Sequence, residues 1–81
     1  MLDTVGTQIT ASFPETEKLA SVILNALSEE GASIGYGLLA CSLTMSRLLN
    51  TGKAVSDEEE IKFIQSIMEW TGSYFTDGKV N

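Results

Sequence analysis

Three groups of residues in this 81-residue chain have types and spacing that point to chemistry. Gly35, Gly37 and Ala40 stand in the order G-x-G-x-x-A, the phosphate-binding turn of dinucleotide sites. That turn works only between a strand and a helix of a βαβ unit, where the glycines let backbone approach a pyrophosphate. Residues 16–30 have helical spacing instead, and the chain is too short for such a fold. Cys41 is the only cysteine and there is no histidine. A thiol needs a base to act as a nucleophile, and one thiol cannot build a zinc site. Cys41 therefore reads as a small apolar side chain. Asp57, Glu58, Glu59 and Glu60 form an acidic run, but without the spaced oxygen ligands and turn glycine of an EF-hand loop. They suit the first turn of a helix, where the dipole favours negative charge. The expectation is a chain that is not an enzyme, with no cofactor, no metal site and no evident small-molecule substrate.

The elements that would carry these residues are mainly helical. Ser56 with Glu59 three positions on is a capping box, and it opens a helix over residues 56–72. On it, Ile61, Ile64, Met68, Thr71 and Phe75 form one stripe, and Phe63, Ile67, Trp70 and Tyr74 form another. Residues 33–50 form a second helix, closed by Gly52. A first helix spans residues 14–30. Pro14 suits its first turn, Ser12 and Glu15 match a capping box, and Gly31 ends it. Leu19, Val22, Ile23, Ala26 and Leu27 make its apolar face. Before it, Val5, Thr7, Ile9, Ala11 and Phe13 alternate with Gly6, Gln8, Thr10 and Ser12. That period of two predicts a short strand or an extended arm over residues 1–13. Residues 73–81 are a tail with a turn at Asp77-Gly78. The whole is one small domain, residues 1–81, with three helices.

Between Gly31 and Ser46 there is no charged residue. At 100° per residue this run divides into two apolar stripes. Ile34, Leu38, Cys41, Met45, Leu48 and Leu49 form the first, and Tyr36, Leu39, Ala40 and Leu43 the second. A helix apolar on two faces is generally buried on both. The first stripe is expected to meet the other helices of the chain, and the second to need a partner. The small residues along the run favour close helix packing. Trp and Tyr are favoured interface anchors. The expected contact surface is therefore Tyr36, Leu39 and Leu43 on the second helix with Phe63, Ile67, Trp70 and Tyr74 on the third.

Composition narrows the partners. The net charge is −6 and the sequence pI is about 4.3, whereas nucleic-acid binders present a basic face to phosphates. The five cations are scattered, so nucleic acid and anionic membranes are not expected partners. The uncharged run is shorter than the roughly 20 apolar residues a membrane span needs. A lone cysteine without a signal-peptide pattern suggests a cytoplasmic setting. A domain this small makes up a modest core with disulfides, a metal or a partner subunit, and only the last remains open.

The order ITASFPETEKL, then SEEGAS, then an apolar helix resembles a ribbon-helix-helix repressor over residues 5–50. The resemblance implies strands paired between two subunits, with Thr4, Gly6, Gln8, Thr10 and Ser12 facing outward toward DNA. No basic residue lies in the strand itself, residues 1–13. The leading expectation is a non-catalytic interaction or regulatory module acting as a small helical homodimer. A DNA-binding regulator of the ribbon-helix-helix kind and an acidic inhibitor that imitates nucleic acid are the alternatives.

Overall fold

Local signals determine where the helices begin and end. In the computed structural model, which describes residues 2–72 and 78–80 and their side chains from residue 5, they run Leu2–Glu29 (α1), Ile34–Leu49 (α2) and Asp57–Thr71 (α3). The Ser33 hydroxyl accepts from the Tyr36 backbone N–H, and Ser56 accepts from that of Glu59. Each satisfies one of the free donors of a helix start. At the end of α1, Gly31 takes φ +67. The Gly31 and Ala32 N–H groups then donate back to Ser28 and Leu27 carbonyls, each at 3.0 Å. This is the Schellman closure, and its left-handed residue is one that a Cβ would strain.

The first segment departs from expectation. Residues 5–13 are neither strand nor extended; they are turns of α1, and Pro14 lies inside the helix rather than at its start. Val5, Ile9 and Phe13 are spaced by four, so they satisfy a helical stripe as well as an alternating one. As helix they continue the face of Thr16, Ala20, Ile23 and Leu27, which a strand ending at Phe13 would not. Pro14 falls on the opposite, polar side, so the hydrogen bond it cannot make to the Thr10 carbonyl is lost where water can reach. Nearby hydroxyls bond back to helix carbonyls: Thr10 to Gly6 at 2.9 Å, Ser12 to Ile9 at 3.2 Å and Thr16 to Ser12 at 3.0 Å. Ser12 is thus not a helix cap. The described residues contain no strand beyond one bridge, an antiparallel pairing of Ser33 with Lys79.

That bridge holds the end of the chain against the α1–α2 turn. The Ile34 N–H donates to the Gly78 carbonyl, Val80 N–H donates to Ala32 at 2.9 Å, and the Lys79 ammonium donates to the Gly31 carbonyl at 3.1 Å. Gly37 lies beneath this contact, where a Cβ would sit 3.4 Å from both Leu27 and Val80 side-chain atoms. α2 packs along α3, whereas α1 leaves the turn and diverges.

Candidate interaction surfaces

α2 meets α3 through small residues. Its buried positions are Gly35, Gly37, Ser42 and Ser46, and Ser46 retains only 2% of its exposure. Gly35, Ser42 and Ser46 share one side of the helix with half-buried Leu39 and Leu43. Small side chains allow two helix axes to approach closely. The hydroxyl of Ser42 is satisfied within its own helix by the Leu38 carbonyl at 2.9 Å, so its burial leaves no polar group unpaired. At the edge, Arg47 donates to Glu60 at 3.1 Å. Glu60 is mostly covered, with 14% of its side chain exposed. Its hydrogen bond and charge raise the guanidinium above its ordinary value. A hollow of about 240 Å³ beside this pair is lined by Leu43, Ile61 and Ile64 among others.

The seven residues expected to form a contact surface divide accordingly. Leu39 and Leu43 are half-buried on the α3-facing side, and Phe63 and Ile67 are half-buried on α3. Tyr36 points to solvent, and Trp70 is 83% exposed. Tyr74 lies outside the described residues, as does Phe75 of the neighbouring stripe. The two stripes expected on α3 merge into one: Phe63, Ile64, Ile67 and Met68 are all half-buried, with Ile61 and Trp70 exposed at its margins. On α2 the intramolecular roles of the stripes are exchanged. The side of Leu39 and Leu43 meets α3, while Ile34, Leu38, Met45 and Leu48 stay exposed.

The exposed stripe of α2 looks onto α1 across an open groove. Leu24 and Leu27 of α1 line a hollow of about 400 Å³ with Ile34, Gly37, Leu38, Cys41 and the tail residues Lys79 and Val80. A second hollow, of about 220 Å³, lies between Ile23 of α1 and Cys41, Thr44, Met45 and Leu48 of α2. Cys41 belongs to both and is half-buried. Further out, α1 carries Val5, Ile9 and Phe13, each more than half exposed, and Leu19 and Val22 are exposed as well. Sequence reasoning placed Val5, Ile9 and Phe13 on a strand or arm and so missed this surface. Their spacing of four, continued by Thr16, Ala20 and Ile23, was the signal for it.

Among the described residues no apolar side chain is buried, and fifteen large ones are exposed. The accessible surface is 6626 Å², whereas a folded monomer of 8.7 kDa exposes about 4,700 Å². The radius of gyration is 14.5 Å, against about 12 Å for a compact chain of this length. No group of three His, Cys, Asp or Glu side chains among the described residues could hold a metal ion. No described helix is long and apolar enough to cross a membrane. The paired strand of a ribbon-helix-helix repressor is not formed either, since its residues belong to α1. Comparison with protein-family models, curated proteins and solved structures finds no match to this chain.

Proposed function

We propose that this protein is a non-catalytic interaction module that works as a small helical homodimer. The observation that carries the reading is that no apolar side chain is buried among the described residues. Fifteen large apolar side chains stand exposed, and soluble monomers rarely present contiguous apolar patches beyond a few hundred Å². The excess surface is about 1,900 Å² per chain. A standard stable interface removes about 800 Å² from each partner, and obligate ones remove more. The excess is larger than a standard interface and falls in the obligate range, about 1,000–2,500 Å² per partner.

Sedimentation equilibrium at low micromolar concentration tests this. The expected mass is twice the chain mass of 8.7 kDa. A compact species of single-chain mass across the whole concentration range overturns the proposal.

A further inference from the structure

We propose that the second copy docks through α1, antiparallel to its counterpart, with the dyad passing beside Thr16. This rests on the homodimer reading and adds the surface and its geometry.

Length comes first. α1 has 28 residues and α2 has 16, about 42 Å against about 24 Å at 1.5 Å per residue. α2 runs back from the turn at residues 30–33, so it reaches along only the second half of α1. Val5, Ile9 and Phe13 project beyond anything α2 can cover, and α3 packs on the far side of α2. No other described element remains to take them.

Symmetry comes second. Val5 and Leu27 lie eleven residues either side of Thr16, Ile9 and Ile23 lie seven, and Ser12 and Ala20 lie four. All share the apolar side of α1. Small residues therefore run along the centre line of the face, Phe13 and Leu19 stand at its edges three residues either side of Thr16, and aliphatic residues occupy its two ends. An antiparallel pair sets small residues against small and aliphatic against aliphatic along the whole face. Ser12, Thr16 and Ala20 then cross closely, and Ile9 of each copy meets Ile23 of the other. No charged residue interrupts the face; Glu15 and Glu17 flank it, and Lys18 lies on the opposite side.

Geometry comes third. In this arrangement the first half of one α1 lies alongside residues 19–27 of the other. That places it over the groove between α1 and α2, the apolar channel lined by Ile23, Leu27, Leu38, Cys41 and Met45. One twofold operation covers both the projecting seam and the open groove, twice over, and closes the assembly. A parallel pair would bring the two projecting ends together and leave both grooves open. A dimer through Tyr36 and Trp70 would leave the whole seam in water.

Disulfide trapping reads the geometry directly, because two thiols link only when their Cα atoms come within about 7 Å. In a Cys41→Ala chain, Thr16→Cys is expected to form a linked dimer in yield on the order of tenfold above Trp70→Cys, from its higher effective concentration. Mixing Ile9→Cys with Ile23→Cys is expected to give the mixed link in preference to either self-link. A sedimenting dimer that links through Trp70→Cys and not through Thr16→Cys overturns this inference and leaves the homodimer standing. Self-linked Ile9→Cys dominating the mixture overturns the antiparallel arrangement. A single-chain mass under all conditions overturns both readings. If Cys41→Ala loses helicity, the same substitutions in the chain with native Cys41, with linked peptides mapped by mass spectrometry, give the same three outcomes.

Discussion

α1 and the α2–α3 pair solve the same problem with opposite materials. α2 turns Gly35, Ser42 and Ser46 toward α3, residues with little apolar area, and these, with Gly37 against Leu27 and Val80, are the buried positions described. α1 carries Val5, Ile9, Phe13, Leu19 and Ile23, and each of them remains largely in water. Burial therefore does not follow hydrophobicity within this chain. Close approach of two backbones decides it, and only the small-residue face achieves that internally. An isolated helix is marginal in water, and most helical stability in proteins comes from packing an amphipathic face. α1 has the longest such face and the least packing within the chain, which is the contrast the proposed dimer would resolve.

The sharpest way to break this contrast is Ile9→Asp. Ile9 is 60% exposed, and in a monomer such a surface change alters stability by about 0.5 kcal/mol or less. In the dimer it buries a carboxylate at a desolvated contact, twice. The expected result is a dissociation constant raised by at least about 100-fold, roughly 3 kcal/mol, measured by sedimentation. An unchanged dimer would place α1 outside the interface. Ser46→Leu probes the other side of the comparison. It forces a large side chain between α2 and α3 and is expected to cost about 1–3 kcal/mol, seen as a lower urea midpoint; tolerance of leucine would mean the two helices are not tightly opposed. The smallest expected effect belongs to Ser56→Ala, which removes the acceptor for the Glu59 N–H. It should lower stability by about 1 kcal/mol without changing the mass of the assembly.

What was legible in the sequence follows the range of the forces involved. The ends of α2 and α3 were readable to within a residue because caps and glycine stops are local. Ser33, Ser56 and Gly72 act on backbone groups three or four positions away. The start of α1 was not readable, because Val5, Ile9 and Phe13 fit a period of two and a period of 3.6 equally well. Pro14 also gave a plausible start that the helix in fact runs through. The two-sided character of the uncharged run was legible. Which side turns inward was not, since a count of apolar residues gives no weight to Gly35, Ser42 and Ser46. On α3, two adjacent stripes were drawn where the chain uses the face between them.

The antiparallel bridge between Ser33 and Lys79 has a consequence in time. α1 ends at Glu29, and the segment that clasps its exit turn begins at Gly78. A chain made from its N-terminus at about 5–20 residues per second completes α1 roughly 2–10 s before that clasp exists. Throughout that interval the α1–α2 turn has only its local hydrogen bonds, from Gly31 and Ala32 back to Ser28 and Leu27. The hydrogen bonds from residues 78–80 to Gly31, Ala32 and Ile34 are therefore the latest of that turn's contacts to become available.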